Sequence, residues 1–345
     1  MCHKSKTNLF LVNKVSFFLR RRTTTAQKDP SQLINELVAF VIHMRRLNIK
    51  DDFNPSNIIA MDETPVWADM VSSTTVNKTG QKEVMLKTTG HEKVRVSVCL
   101  AAEADGSKLK PFIVFAGAKR ESAALNKDFG SKCVVASSAN GWMNEQLTIQ
   151  WCKEVVGSFS FRKRLLVWDT FEAHLTEEVK CTLKDMKVES ALVPGGCTKY
   201  IQAPDVYWNK PFKGYITEMY DEWLANGVHQ FTEAGNMKSA PRRLVVEWIL
   251  KAWQMLEKDL IVNSFHGCAV NLKSDGSEDD KIHCFKEKGT CAAGAALLKD
   301  QTTLLHDKEL EKDPFNDPTE SDIEEANIEL NLLDEDEDDE FVSVD

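Results

Sequence analysis

Three aspartates in this sequence stand where an apolar run or a helix boundary meets small or turn-forming residues. Asp62 follows the apolar run 58–61, Asp169 follows the apolar run 165–168, and Asp205 follows an Ala-Pro dipeptide. Carboxylates are the natural ligands of Mg²⁺ and Mn²⁺, because these ions prefer oxygen. Two such ions roughly 3.5–4 Å apart can activate a water or hydroxyl and stabilise the leaving oxygen of an in-line displacement. The three aspartates therefore suggest a divalent metal site for phosphodiester chemistry.

Each aspartate also has a simpler explanation, since Asp often caps a helix or closes a turn. From spacing alone, the metal site and three separate structural roles are both open. Glu63 is a second carboxylate beside Asp62, but on a strand it would point to the opposite face. His174 lies five residues after Asp169. It either orients a phosphate or water near the site or is a structural residue at a helix start.

The elements that would position these residues alternate between strand and helix. Apolar runs and period-two alternation predict five strands, at 58–61, 93–100, 109–115, 165–168 and 189–193. Asp105-Gly106 supplies a turn that joins the second and third strands as a hairpin. Apolar residues at three-to-four spacing predict helices, at 31–44, 144–156, 175–186 and 215–261. This order predicts an α/β fold in which a mixed sheet is flanked by helices.

Charge is segregated along the 345 residues, whose net charge is −10. The first 50 residues hold 10 Lys/Arg against 2 Asp/Glu, whereas residues 301–345 hold 18 Asp/Glu against 2 Lys/Arg. A basic head and an acidic tail are common in proteins that handle nucleic acid, although solvated ends of a globular domain can have the same composition. The sequence has no uncharged apolar run of about eighteen residues, which argues against a transmembrane helix. Its nine scattered cysteines are typical of reduced intracellular thiols.

Basic residues offer candidate contacts to a nucleic-acid backbone, with a solvated surface as the alternative. They are Arg20, Arg21, Arg22, Arg45, Arg46, Lys50, Lys119, Arg120, Lys199, Lys210 and Lys213. A zinc site is a further possibility, although its candidate ligands lack a paired Cys-x-x-Cys spacing. Those candidates are His266, Cys268, His283, Cys284 and Cys291.

Three ordered motifs resemble those of pogo/Tigger-type DNA transposases. The first is Asn-Ile-Ile-Ala-Met-Asp-Glu-Thr-Pro-Val-Trp-Ala-Asp-Met at 57–70, and the second is Val167-Trp168-Asp169 with Ala173-His174. The third joins Val-Pro-Gly-Gly-Cys-Thr at 193–198, Gln-Ala-Pro-Asp at 202–205 and Asn-Lys-Pro-Phe-Lys at 209–213. The similarity covers roughly residues 20–290.

This resemblance implies an RNase H-like fold with a carboxylate triad that binds Mg²⁺ or Mn²⁺. Asp62 would lie on the first strand and bridge both ions, Asp169 would end the fourth strand, and Asp205 would stand just ahead of the next helix. Pro211 fits a start of that helix near it, since proline is tolerated in a first turn. Two features depart from the family. Thr-Phe-Glu follows Asp169 where many mariner-like relatives have Asn-Ala-Pro, and too little chain precedes Leu19 for paired helix-turn-helix modules.

The resemblance divides the chain into four parts. They are a basic remnant of an N-terminal DNA-binding region or linker (1–30), an RNase H-like DDE endonuclease domain with a leading helix (31–262), an irregular extension (263–305) and an acidic disordered tail (306–345). The implied function is DNA cleavage and strand transfer in the nucleus, with DNA as partner and with a homo-oligomer or chromatin proteins as further partners. The alternative is a domesticated protein that binds DNA or chromatin without cutting.

Overall fold

A computed structural model describes residues 10–12, 15–17, 30–70, 89–91, 94–117, 119–157 and 162–305. The basic residues Arg20, Arg21 and Arg22 and the acidic segment 306–345 lie outside these ranges, so the predictions for them stay predictions. Strands β1 (Phe10–Val12) and β2 (Val15–Phe17) pair antiparallel with each other.

Six further strands form one mixed sheet in the order β6-β5-β4-β3-β7-β8. They are β3 (Ile58–Trp67), β4 (Arg95–Glu103), β5 (Phe112–Ala116), β6 (Val134–Ser138), β7 (Arg164–Trp168) and β8 (Val188–Leu192). β3, β4 and β5 are antiparallel neighbours, whereas β7 and β8 run parallel to β3 on its other side. This is the strand order of the RNase H-like fold, with β6 added in parallel at the β5 edge. The predicted fold class is confirmed.

Helices cover both faces of the sheet. They are α1 (Ile34–Asp51), α2 (Lys119–Phe129), α3 (Glu145–Trp151), α4 (Glu177–Asp185), α5 (Thr198–Ile201), α6 (Asn209–Asn226), α7 (Arg242–Met255), α8 (Lys258–Gly267) and α9 (Gly294–Leu305). Side chains alternate across β3, so that Ile58 and Ala60 join the core beneath α1 and α6–α8, and Ile59 and Met61 join the core beneath α3 and α4. Both faces of the central strand are therefore buried, which fixes its register.

β3 is longer than the apolar run predicted. It has ten residues, so Asp62 lies within the strand rather than at its end. Beyond Ala60 the pairing of β3 with β7 stops, and the rest of the strand pairs with β4 alone. Pro65 is tolerated there because its missing N–H faces the side without a partner strand.

Three other predictions about local structure were wrong. The sequence analysis predicted neither α2, which buries only Ser122, Leu125 and Phe129, nor β6, whose apolar run is only three residues long. The predicted helix 215–261 is interrupted between α6 and α7, where residues 227–241 form no helix. The extension 263–305 is not irregular throughout, because it contains the end of α8, two short 3₁₀ turns and α9.

Arg45 on α1 binds the C-terminal extension rather than projecting into solvent. Its side chain is 2 % exposed and forms an ion pair with Asp279 and a hydrogen bond to Thr302 on α9. Burial lowers the pKa of Arg45, and the charge of Asp279 opposes that shift. The prediction that Arg45 contacts DNA phosphates is therefore wrong. Within the part of the chain that the structure describes, no helix is long and apolar enough to cross a bilayer.

Candidate metal centre

Asp62 projects from the middle of β3 into a pocket closed by two amides. Its side chain is 7 % exposed. Gln202 Nε2 donates a hydrogen bond to Oδ1 at 3.1 Å, and Asn209 Nδ2 donates one to Oδ2 at 2.7 Å. Both Asp62 oxygens thus accept from neutral donors, and neither is paired with a cation among the described side chains.

Asp205 lies close to Asp62 and shares one of these donors. Asn209 Nδ2 also donates to Asp205 Oδ1, at 2.9 Å. Asp205 is part of a π-helical turn, Pro204–Trp208, that runs directly into α6. Asp205 thus precedes the start of α6 by four residues, in agreement with the prediction that it stands just ahead of a helix, and Pro211 lies in the first turn of α6.

Asp169 approaches from the neighbouring parallel strand. β7 ends at Trp168, and its register with β3 pairs Ile58 with Leu165 and Ala60 with Val167. Continued by two residues along both strands, this register places Asp169 beside Asp62. The Asp169 carboxylate is held from the side by His174, whose Nδ1 lies 2.8 Å from Oδ1.

His174 connects Asp169 to Glu63. Its Nε2 lies 3.2 Å from Glu63 Oε1, and its ring stacks on Trp168 with centroids 4.1 Å apart. Burial lowers the pKa of His174, but the hydrogen bonds and charges of Asp169 and then Glu63 outweigh this and raise the pKa to about 10. The imidazole is therefore a cation at neutral pH, held between two carboxylates. Burial, the larger effect on Glu63, raises the pKa of that carboxyl despite His174.

Asp62 and Asp205 lie at the end of the cluster away from His174, where carboxyl groups outnumber basic groups. Burial, followed by the charges of Asp205 and Asp169, raises the pKa of Asp62 well above its ordinary value. Burial raises the pKa of Asp205 as well, with Asp169 adding to it and Asn209 and Lys213 opposing it. Like charges held together disfavour ionisation, so a bound cation would favour the ionised form of both carboxyls.

The oxygen atoms at this site are of the chemical kind that a hard divalent cation binds. Three carboxylates converge, and the buried oxygens Asn209 Oδ1, Gln202 Oε1 and Glu63 Oε2 have no hydrogen-bond partner among the described atoms. Mg²⁺ and Mn²⁺ take such oxygens as ligands. No three His, Cys, Asp or Glu side chains in the described ranges are arranged to hold an ion as they stand. Binding therefore requires the carboxylates to turn away from their present amide donors.

The remaining candidates are distributed differently. Lys210 is exposed on α6, Lys213 acts on Asp205 through its charge, and Lys199 is half-buried on α5. Their contacts to DNA stay predictions. The zinc candidates His266, Cys268, His283, Cys284 and Cys291 form no metal-holding group within the described chain. Every cysteine that the structure describes is a free thiol.

Sequence reasoning missed the two amides and the role of His174. Gln202 and Asn209 lie three residues before and four residues after Asp205. Residues three or four apart share one face of a helix, so this spacing was a usable signal. The pairing of His174 with Glu63 spans 111 residues, and no local pattern reports it.

Comparisons with known proteins agree with this architecture. Residues 92–265 match the model of the DDE superfamily endonuclease family, a range that includes Asp169 and Asp205 but not Asp62. The mouse (Mus musculus) protein "Pogo transposable element with KRAB domain" is 29% identical over 272 residues, which are 77% of this chain and 44% of the relative. This chain thus spans less than half the length of that relative.

Two solved structures of Mos1 transposase are similar at low sequence identity. One is the paired-end complex with the left transposon end, with a TM-score of 0.46 and 8% identity over 82% of this chain and 67% of that one. The other is the Mos1 mariner paired-end complex with Mn, with a TM-score of 0.43 and 9% identity over 82% and 68%. The resemblance to pogo/Tigger-type transposases is confirmed by the family match and by the pogo relatives. The chain belongs to the DDE superfamily endonuclease family.

Proposed function

We propose that this chain cleaves DNA phosphodiesters and transfers DNA strands with the help of divalent metal held by Asp62, Asp169 and Asp205. One observation carries the proposal. Three carboxylates from β3, the end of β7 and the turn before α6 converge, and burial together with the charges of the neighbouring carboxylates raises the pKa values of Asp62 and Asp205. Burying several carboxyls together lowers the stability of the fold. A metal site is a functional reason for keeping such a cluster, because its ligands must be carboxylates that lie close together.

The residues divide into ligands and positioning groups. Asp62, Asp169 and Asp205 would hold Mg²⁺ or Mn²⁺, which when bound activates a water or hydroxyl and stabilises a leaving oxygen. His174 and Glu63 hold Asp169 from the side, as outer carboxylates and histidines commonly orient a metal ligand. Gln202 donates an N–H group to Asp62, and Asn209 donates to both Asp62 and Asp205 and so links these two carboxylates.

The second candidate is a transposase-derived protein that binds DNA or chromatin partners without cutting. One observation favours it: within the described chain the ligands are not preformed around an ion. Under either reading we propose a nuclear location, DNA as the partner, and a homo-oligomer or chromatin proteins as further partners.

The two candidates are separated by metal binding and nicking measured on the same preparations. Mn²⁺ affinity is measured by electron paramagnetic resonance, and nicking is measured on labelled duplex DNA with Mg²⁺ or Mn²⁺. We expect wild type to bind Mn²⁺ and nick, and Asp205→Asn and Asp169→Asn to lose at least tenfold in both. The matched control is Asp300→Asn, which replaces an exposed aspartate on α9.

Equal nicking by wild type and Asp205→Asn would sink the catalytic proposal. DNA binding without nicking or Mn²⁺ binding by wild type would favour the second candidate. Asp205→Asn is the more informative variant, because Asp169→Asn also deprives His174 of a counter-ion and can unfold the protein.

A further inference from the structure

A groove beside the candidate metal centre has an apolar floor and a basic rim. It encloses about 540 Å³ between α4 and the edge strand β8. Leu175, Leu183 and Leu192 lie on its floor. The rim is formed by Lys180, Lys184 and Lys187, all exposed. We call it the α4–β8 groove.

The positive charge of the α4–β8 groove is largely unbalanced. Lys163 at one end is fixed by ion pairs to Asp51 at 2.8 Å and to Glu189 at 2.7 Å, and Lys180 contacts the exposed Glu177. Among the described residues, Lys184 and Lys187 form no ion pair. The remaining acids of α4, Glu178 and Asp185, do not line the groove. Its rim is therefore open to an anion.

The groove reaches the candidate metal centre through His174, which lines it, whereas the three aspartates do not. His174 forms part of its wall, and the Nδ1 atom of that residue lies 2.8 Å from Asp169 Oδ1. Leu192 pairs with Trp168, the residue immediately before Asp169. At the other end, Val188 pairs with Arg164. A linear ligand in the groove would thus run from the carboxylate cluster along the outer edge of the sheet.

The spacing of the lysines suits a polyanion with a short repeat. Lys180 and Lys184 are one helical turn apart, a rise of about 6 Å, and Lys187 comes three residues after Lys184, just beyond the end of α4. One DNA strand carries a negative charge about every 3.4 Å of helix axis, so successive lysines along the rim are spaced to meet phosphates of one strand. The leucines offer an apolar surface to sugars and bases. Contacts of this kind do not depend on the DNA sequence.

We propose that the α4–β8 groove binds one DNA strand next to the phosphodiester at the carboxylate cluster, through phosphate contacts to Lys184 and Lys187. This proposal rests on the proposed function, because it names where DNA lies at that same site. Lys199, Lys210 and Lys213, the other candidate DNA contacts, lie on α5 and α6 and do not line the groove.

The test compares Lys184→Gln/Lys187→Gln with a matched control at the other end of the sheet. The control is Lys127→Gln/Lys132→Gln, two exposed lysines beside β6, the opposite edge strand. Binding of the full chain to a fluorescent 30-base-pair duplex is measured by anisotropy over a range of KCl, in EDTA so that no cutting occurs. Each lost phosphate contact lowers the slope of log affinity against log salt by about 0.7–0.9. We expect the groove variant to lose about 1.5 in slope and at least fivefold in affinity, and the control to match wild type.

A slope equal to that of wild type overturns the proposal. Tighter DNA binding by the groove variant overturns it as well, and would point to the acidic residues 306–345 as the occupant. The same variants are titrated with Mn²⁺ alone, which reports on the carboxylate cluster. If no variant binds Mn²⁺ but the groove variant loses salt slope, the proposed function fails while the groove still binds DNA. Unchanged Mn²⁺ affinity with unchanged slope rejects the groove alone.

Discussion

The two halves of the acidic cluster deal with buried negative charge in different ways. Glu63, on one face of β3, and Asp169, at the end of β7, share the His174 imidazolium, whose pKa is raised to about 10. On the other face of β3, Asp62 and Asp205 share an amide donor, the pKa of Asp62 is raised well above its ordinary value, and the charge of Lys213 acts on Asp205. One half contains a buried cation that contacts both of its carboxylates, whereas the oxygens of Asp62 accept hydrogen bonds only from amides among the described side chains. The difference indicates that an external cation would act mainly on the Asp62–Asp205 side.

Replacing His174, the cation inside the cluster, should have the largest effect on the free energy of unfolding. In His174→Gln, Asp169 and Glu63 lose their shared positive partner while staying buried. Breaking a buried ion pair by removing one partner costs about 3–5 kcal/mol of the free energy of unfolding. Urea denaturation at pH 7 in EDTA measures this loss. Glu63→Gln is the matched comparison, because it keeps the imidazolium beside Asp169 and should lose less. A loss below about 1 kcal/mol in His174→Gln would mean that the imidazole is neutral.

The pH dependence of stability should report the same cation. The folded pKa of His174, about 10, lies above its ordinary value of 6.5. Its stabilising contribution is therefore complete below about pH 6.5 and is lost as the pH rises through 10. We expect the difference in unfolding free energy between wild type and His174→Gln to shrink over this window, by up to about 1.4 kcal/mol per pH unit. A difference that stays constant from pH 6 to pH 10 contradicts the assignment.

Replacing Asp62 in the other half of the cluster should change the free energy of unfolding by a smaller amount and in the opposite direction. In Asp62→Asn a neutral amide replaces a carboxyl whose ionisation is opposed by burial and by the charges of Asp205 and Asp169, and Asn209 can rotate its amide so that Oδ1 accepts a hydrogen bond. We expect the variant to be more stable than wild type in EDTA by about 1–2 kcal/mol. Saturating Mn²⁺ should reverse the order, because wild type gains about 2.7 kcal/mol at a hundredfold excess over Kd and the variant gains little. Denaturation with and without Mn²⁺ checks both. A less stable Asp62→Asn in EDTA would show that Asp62 is a structural residue.

Much of the sheet was predictable because its signals are local. The apolar run 165–168 and the Asp that follows it became β7 and Asp169 as predicted. Alternation in 94–100 identified β4, and the turn at Asp105-Gly106 was correct. Period-two alternation also placed Glu63 on the face away from Asp62. The contacts of the two carboxyls, with His174 and with Asn209, agree with that placement.

What the sequence did not reveal depends on contacts between distant segments. The alternation of β3 said that Glu63 faces away from Asp62, but not that the turn after β7 would bring His174 to that side. Arg45 has the composition of an exposed helix residue, and only Asp279, 234 residues away, explains its burial. The α2 helix buries just Ser122, Leu125 and Phe129, which leaves too weak an apolar stripe for a sequence-based prediction.

The ion pair and the hydrogen bond that join Arg45 to the C-terminal extension determine how far the cooperative folding unit extends. A buried guanidinium cannot lose Asp279 and Thr302 without a large penalty, so α1 can open to solvent only when the segment through α9 opens as well. Backbone amides in α1 and in α9 then share one opening free energy in hydrogen exchange. The smallest stable folded unit of this chain consequently extends past the sheet and past α8, to the helix that holds Thr302.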